Sequence, residues 1–483
     1  MGWHLENSYG KLPKPFFSEI SPIKWPEVEL YWYHPNLGND LGLPRELHTD
    51  KAWAEYLSGV IFPEGAHPIA QAYAGHQFGH FTLLGDGRAV LLGEQMAPNG
   101  KRWDIQLKGA GITPYSRRGD GRATLSAMLR ECLISEAMHG LGIPTSRSLA
   151  IVTTGEKVPR ERMNDGAVLT RVASSHIRVG TFEFARKFTP LKDQKAFFRY
   201  TLSRHDPELL ETEEPVLAFL EKVMDRQMEL VVNWMRVGFI HGVMNTDNMS
   251  IAGETIDYGP CAFMNNYHPG TVFSSIDTAG RYAYGNQPNI AAWNLAVLAN
   301  ALLPLAGTEE NRPMVIEKAQ TLIDGFSQKY HHRWLQMMRG KLGWVEADPN
   351  DRIQIQQLLD IMMEQGMDYT NTFRGLLDPS TIKHWEIQYP DLKSWLANWQ
   401  IRIETQAGGW DTAHRLMKKN NPAVIPRNHI VEEVLEQAIN GNPQYFEEVL
   451  KVFAQPYMED GIPAKYLQGP PHGDETYQTF CGT

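Results

Sequence analysis

The sequence predicts an α+β chain in two parts, a β-rich part followed by a helical one, and three observations carry that expectation. Between Gln71 and Ala173, short apolar runs alternate with glycine-rich turns around a single helical pattern. From about Lys187 onward the apolar residues recur at helical spacing instead. Joining the two is His241 to Gly259, HGVMNTDNMSIAGETIDYG, which sets Asp247 beside Asn248 and returns as Ile256-Asp257-Tyr258-Gly259. A chain of 483 residues, 42% hydrophobic and 21% charged, can form a sizeable core and lacks the composition of a disordered or fibrous protein.

Residues 1 to about 65 are rich in proline and aromatic residues and read as an irregular extension packed on the main body, with one short helix near Asp50 to Gly59. A β-rich lobe is expected over 66–186. His76 and His80 have an HxxxH spacing that on a helix would suggest zinc; Gly75 and Gly79 fall in that stretch and no other Cys or His is near, so a turn with hydrogen-bonded histidines is expected. Phe81 to Leu84 and Ala89 to Glu94, joined by Gly85-Asp86-Gly87-Arg88, read as a glycine-rich hairpin. Gly85 and Gly87 would let a ligand approach the backbone and Arg88 would reach a phosphate; a plain β-turn is the alternative.

Trp103 to Lys108 alternates strictly, which points Lys108 away from the packed side of its strand. The loop GAGITPYSRRGDGRA follows, with Asp120 and Gly121 among arginines able to offer guanidinium forks to phosphates, or to stand solvated. Thr124 caps a helix running to His139, and Glu131 lies on its apolar side, where a carboxylate needs a partner. Lys108 is the candidate. Strands near Arg147 to Thr153 and Ala167 to Ala173, joined through Asn164-Asp165-Gly166, complete the sheet. Arg171 and Arg178 stand at its end, where a surface salt bridge is the alternative to a functional role.

A long helix, Pro215 to Val237, leads into His241, and further helices are expected at Ala291 to Leu303, Met314 to Met338, Asp351 to Gln365, Leu392 to Thr405 and His429 to Ala438. Asp247, Asn248 and Asp257 offer oxygen ligands on what read as neighbouring strand ends, suited to a hard cation such as Mg²⁺ with nucleotide phosphates; a β-hairpin with polar ends is the alternative. A strand lysine paired with a helix glutamate, then a long helix and a metal clamp, is the order of a two-lobed protein-kinase-like fold. The helical lobe would cover 187–400, with a C-terminal helical region and tail at 401–483.

A net charge of −10 gives no footprint for nucleic acid or an anionic membrane. Met1 to Ile20 has neither a basic nor an apolar signal region, and Glu6 stands where myristoylation needs Ser or Thr. Ala291 to Ala306, broken by Asn294, Asn300 and Pro304, falls short of a membrane span and reads as a buried helix. Cys132, Cys261 and Cys481 cannot form a disulfide framework. A monomeric cytoplasmic enzyme is expected.

Six segments, YAGHQFG, LGDGRA, QLKGAGITPYSRRGDGRA, HGVMNTDNMS with IDYGP, and NPAVIPRNH, stand in an order that resembles the selenoprotein O family, also called SelO or YdiU, across nearly the whole chain. The resemblance implies a kinase-like fold that moves AMP from ATP, or UMP from UTP with Mn²⁺, to Ser, Thr or Tyr hydroxyls of proteins. It implies Asp247 as base, Asn248 and Asp257 as metal ligands, and Lys108 on phosphate with Glu131 orienting it. Gly85, Gly87, Arg88, Asp120, Gly121, Arg171, Arg178 and Asp257 would line the nucleotide. In this sequence the place five residues before the metal-binding Asn, where a kinase has its catalytic Asp, holds Val243. Asp247, taken to have an ordinary carboxyl pKa, must then act from another position. The family's inverted nucleotide, with its α-phosphate near the metal, accounts for that. By the same resemblance Cys481 occupies the selenocysteine position, and a reversible disulfide with Cys261 and two free thiols are both open. A phosphoryl-transferring kinase and a non-catalytic nucleotide-binding module are the alternative functions.

Overall fold

Alternating apolar residues in the first part of the chain build one antiparallel sheet of eight strands. In the computed structural model, which describes residues 2–308, 310–470 and 477–479, the strands in chain order are β1 (Leu5–Glu6), β2 (Phe17–Glu19), β3 (Glu29–Tyr33), β4 (Ile69–Gln71), β5 (Ala74–Gln77), β6 (His80–Leu83), β7 (Ala89–Met96), β8 (Arg102–Lys108), β9 (Arg147–Pro159) and β10 (Met163–Ala173). The sheet runs β2-β4-β7-β8-β10-β9-β3, with β1 also paired to β7, while β5 and β6 form a hairpin of their own.

Three expectations about these strands are corrected. The N-terminal stretch is not irregular: β1, β2 and β3 all join the sheet, and β3 lies along β9 with Leu30 opposite Val152. Its run ELYWY hides a period of two beneath consecutive aromatic residues. Residues 81–94 are not a hairpin, because β6 pairs back onto β5 and β7 pairs with β8, so Gly85 to Arg88 connect two separate sheets. The turn between β9 and β10 is Arg160 to Arg162; Asn164-Asp165-Gly166 lies within β10, where the register slips between Asp165 and Ala167.

Helices cover both faces of the sheet. On one face α1 (Pro35–Asp40) and α2 (Asp50–Ser58) place Leu37, Trp53 and Leu57 over Val90, Ile105, Leu107 and Val168. On the other lies α3 (Leu125–Gly140), whose Leu129 and Leu133 join a core with Leu91, Ile151 and Leu169. Thr124 Oγ1 accepts from the Ala127 N–H at 3.3 Å, the cap the sequence foretold. Strict alternation along β8 therefore sends Ile105 and Leu107 towards α2 and Asp104, Gln106 and Lys108 to the other side, where Asp104 meets His176 and Arg204, Gln106 meets Asp86 and Lys108 meets Glu131 of α3. That second side is as enclosed as the first, since none of the three polar residues is more than 5% exposed. An alternating pattern marks two different environments here, one apolar and one built of partnered charges.

The helical part opens earlier than expected, with α4 (Val179–Phe188), followed by α5 (Leu191–His205), α6 (Pro215–Val237) and α7 (Gln287–Leu302). The helix expected over Met314 to Met338 is two, Arg312–Asp324 and Phe326–Leu342, divided at Gly325. Helices Tyr369–Gly375, Pro379–Gln388, Gly409–Asn420 and Pro443–Phe453 have no counterpart in the sequence reading. The helical stretch around α7, Tyr284–Leu305, reaches 22 residues, long and apolar enough to cross a membrane, where the sequence suggested a shorter span. Its Asn294 is fully buried and donates to the Met244 carbonyl at 2.9 Å, so this face is packed against the chain itself. After α6, β11 (Phe239–Ile240) pairs with β12 (Ala262–Phe263), and the whole stretch from His241 to Gly259 loops between them.

Candidate active site

Lys108, at the end of β8, faces Leu169 on β10, and Arg171 on β10 faces Gln106. Lysine and arginine thus emerge side by side beneath α3. Lys108 Nζ donates to Glu131 Oε2 at 2.5 Å and to Asp257 Oδ1 at 2.6 Å. Arg171 Nε donates to Glu131 Oε1, and its Nη2 donates to Asp257 Oδ1 at 3.0 Å. Two cations and two carboxylates close a balanced square, in which only the Asp257 side chain, 34% exposed, reaches solvent. Burial alone would raise the Asp257 carboxyl, but Lys108, Arg171 and Arg88 outweigh it and hold it well below the usual range. Burial and Arg171 lower the Lys108 ammonium against the pull of its carboxylates. The backbone of Asp257 is left-handed at φ 66°, an uncommon conformation for a non-glycine residue that the two cations help to fix.

Facing this square is the turn carrying Asp247. Asp247 and Asn248 lie on a single 3-10 turn, Thr246–Asn248, rather than on a hairpin end, and the stretch returns through isolated bridges from Ser250 to Arg178 and from Thr255 to Thr145. His241 ties the stretch together: its Nδ1 accepts from the Val243 N–H at 3.4 Å and its Nε2 donates to the Ile256 carbonyl at 3.1 Å. Burial keeps its ring neutral. The β5 strand clamps the turn from above, with the His76 N–H on Thr246 Oγ1 at 2.7 Å and the Phe78 N–H on Asn245 Oδ1 at 3.1 Å. Arg178 Nη1 donates to the Asp247 carbonyl at 2.8 Å.

Asp247 itself is 7% exposed, and its Oδ1 has no hydrogen-bond partner among the described residues. Burial pushes its carboxyl up to about 7 against the pull of the Arg178 guanidinium. The ordinary carboxyl pKa assumed from sequence is thus corrected, because the residue is enclosed. A carboxylate poised there is matched to accepting a proton near neutral pH. Val243, five residues before Asn248, offers only its carbonyl, which accepts from Asn248 Nδ2 at 3.1 Å.

A cavity of about 580 Å³ is lined by Tyr73, Gln77, Gly85, Gly87, Arg88, the loop Tyr115 to Arg122, Asp247 and Asp257. Arg88 also borders a second cavity, of about 560 Å³, onto which Lys108, Glu131 and Thr124 face. Most of the expected residues therefore line these two cavities or bond to Asp257, Asn248 lining neither cavity, and several have other immediate partners. Arg171 and Arg178 are buried and hold Asp257 and the Asp247 backbone. Asp120 is bound by Arg160 at 2.7 Å. The glycines answer to packing between loops: a Cβ on Gly85 would stand 2.4 Å from the Tyr115 ring, and one on Gly121 would stand 2.2 Å from the Gly111 carbonyl.

The sequence reading missed Asp86, Tyr73 and Gln77. Asp86 is buried, accepts from the Gln71 N–H at 3.1 Å and faces Arg178, whose guanidinium lies 4.4 Å from the centre of the Tyr73 ring. Between two glycines it looked like a solvated turn residue. Gln77 lines the same cavity as Asp247. His76 Nδ1 lies 2.5 Å from Glu183, and His80 is exposed on β6, so the HxxxH pair sits on a hairpin.

The donor set suits a hard cation. Asn248 commits its Nδ2 to Val243, which turns Oδ1 away from that carbonyl, while Asp257 keeps Oδ2 clear of the bonds made by Oδ1. Among the described residues no three His, Cys, Asp or Glu side chains form a cage. One or two protein oxygens completed by phosphate and water is the pattern of Mg²⁺ held by a nucleotide. Cys132 and Cys261 are buried free thiols, and Cys481 lies outside the described residues.

A sequence model described as protein adenylyltransferase SelO matches residues 2–454. The chain is 53% identical over 484 residues to a protein nucleotidyltransferase YdiU of Bacillus mycoides, covering 100% of this chain and 99% of that one. It is 53% identical over 483 residues to the Brevibacillus brevis protein of the same name, and 51% identical over 483 residues to that of Bacillus cereus, covering 98% and 99% of those chains.

Proposed function

Because the chain belongs to the SelO family and is a protein nucleotidyltransferase, we propose that it transfers AMP, or UMP, from the nucleoside triphosphate to Ser, Thr or Tyr hydroxyls with Mg²⁺ or Mn²⁺, on a two-lobed kinase-like fold. One observation carries the reading: among the described residues the only carboxylates facing the cavity beside Asp120 are Asp247 and Asp257, and the kinase base position is occupied by Val243. Asp247 accepts the hydroxyl proton. The hydroxyl oxygen bonds to the α-phosphorus as the bond from that phosphorus to the bridging oxygen breaks, and pyrophosphate leaves. Asn248 and Asp257 would hold the divalent cation, which would neutralise charge on the phosphate oxygens. Arg88 and the Lys108 ammonium add positive charge beside the departing pyrophosphate. Arg171 and Arg178 support the reaction by fixing Asp257 and the Asp247 backbone. The two lobes of the kinase-like fold are taken as the sheet with its covering helices, to which β1, β2 and β3 of residues 1–65 belong, and the helices from α4 onward, in place of the divisions 1–65, 66–186, 187–400 and 401–483 suggested by sequence.

Mass-spectrometric mapping of labelled protein tests the proposal. Nucleotide should be found esterified to hydroxyl side chains, and a chelator should abolish it. Phosphoramidate or thioester adducts, or labelling indifferent to chelation, would contradict it.

A further inference from the structure

The loop from Gly109 to Ala123 presents two arginines that the chemistry above leaves unused. Arg117 and Arg118 are exposed on the lip of the cavity that holds Asp247 and Asp257, and among the described residues neither makes a hydrogen bond or an ion pair. Their neighbours on the same lip are spent: Arg122 is paired with Glu156, and Arg160 with Asp120. The loop that carries the pair is firmly built. Thr113 Oγ1 donates to the Asp86 carbonyl at 2.6 Å, Ser116 Oγ donates to the Gly87 carbonyl, and the Gly119 N–H donates to the Ser116 carbonyl at 2.7 Å. Arg117 is held left-handed at φ 53°, a strained conformation for a residue with a Cβ. Such strain persists where the surroundings enforce it, and it is concentrated at ligand clamps.

Two unpaired guanidinium groups on a firmly held loop of a chain of net charge −10 form a local anion-seeking patch. The nucleotide phosphates have their cations deeper, at Arg88 and Lys108, beside the metal ligands. The other reactant is a protein, too large for a cavity of about 580 Å³, so it stays outside and reaches in with its hydroxyl, and Arg117 and Arg118 are exposed lining residues available to meet it. We propose that Arg117 and Arg118 recognise an acidic segment beside the target hydroxyl of the protein acceptor. This rests on the protein-acceptor reading above.

The test is binding of a fluorescent Glu-Tyr copolymer by the full chain, with a Lys-Tyr copolymer as control and ATP affinity measured in parallel. Wild type should bind the Glu-Tyr polymer, more weakly as salt rises, and prefer it to the Lys-Tyr polymer. The Arg117→Ala/Arg118→Ala variant should bind it about tenfold more weakly, with ATP affinity unchanged within about twofold. Arg117→Gly relieves the left-handed strain and should lose acidic-polymer affinity without loss of thermal stability. Arg118→Glu should reverse the preference. Equal loss of ATP affinity would assign the pair to the nucleotide, and absent or unaltered Glu-Tyr binding would also overturn the proposal. Transfer of α-phosphate label to any protein, assayed alongside, tests the transferase reading separately from this one.

Discussion

Gly75 lies against Asp247 so closely that a Cβ on Gly75 would stand 2.4 Å from Asp247 Oδ1. The absent side chain is what lets an enclosed carboxylate sit beneath β5. Gly75→Ala is therefore expected to push the Asp247 carboxyl from its position while leaving the fold intact, since the backbone of Gly75 is not left-handed. A displacement of about 1 Å costs on the order of 100-fold in rate, so labelling should fall by that factor with little change in melting temperature. Paired rate and melting measurements check it; an active Gly75→Ala enzyme would show that Asp247 need not stay where it is.

Asp257 is the shared acceptor for Lys108 and Arg171 and the more exposed of the square's two carboxylates. Asp257→Ala should abolish metal-dependent labelling, by on the order of 1,000-fold or more, because it removes the proposed cation ligand and leaves two buried cations sharing the single carboxylate of Glu131. Robust labelling by this variant would remove Asp257 from the metal site.

Glu131 is 2% exposed and bonded to both cations, so its removal leaves buried positive charge without compensation. Glu131→Ala should lower stability by about 3–5 kcal/mol as well as activity. Replacing Arg171 in the same molecule should restore part of the stability and none of the activity. Denaturant titration of the single and double variants measures this coupling, and additive losses would show that the square is not an energetic unit.

Glu136, on the same helix, accepts from Arg147 Nη2 at 2.5 Å and from the Ser148 N–H at 2.9 Å. Burial would raise its carboxyl, but the hydrogen bonds from His34 and Arg147 bring it down to about 2 from 4.5. A lowered folded-state pKa means that its stabilisation is present above pH 4.5 and is lost as pH falls towards 2. The linked contribution is about 3 kcal/mol at neutral pH. Melting temperatures across that window should fall more steeply for wild type than for Glu136→Gln, which starts lower; parallel curves would contradict the assignment.

Much of the site was legible because its residue types are rarely placed together for other reasons. A lysine at a strand end and a carboxylate on an apolar helix face demand each other, and Lys108 and Glu131 are in fact bonded. Asp257 joined them through a distant segment, which only the order of the motifs suggested. What stayed hidden depended on burial. Asp86 resembled a turn residue, and Asp247 an ordinary carboxylate, because local sequence does not say what covers a residue. The strands of the N-terminal stretch were hidden for a different reason: β1 and β2 are two and three residues long and are fixed by pairing with strands far along the chain, not by local pattern. The break at Gly325 was visible as a residue but not as a consequence, since glycine within a helical pattern is often tolerated.

Transfer of the α-phosphate rather than the γ-phosphate is the central claim, and parallel incubations with ATP labelled at one position or the other test it most directly. Label from the α-position should appear on protein, label from the γ-position should leave as pyrophosphate, and Asp247→Asn should suppress the α-label. Protein carrying γ-label would mean that Asp247 serves a phosphoryl-transferring kinase despite Val243, and protein carrying neither label would mean that the site binds nucleotide without using it.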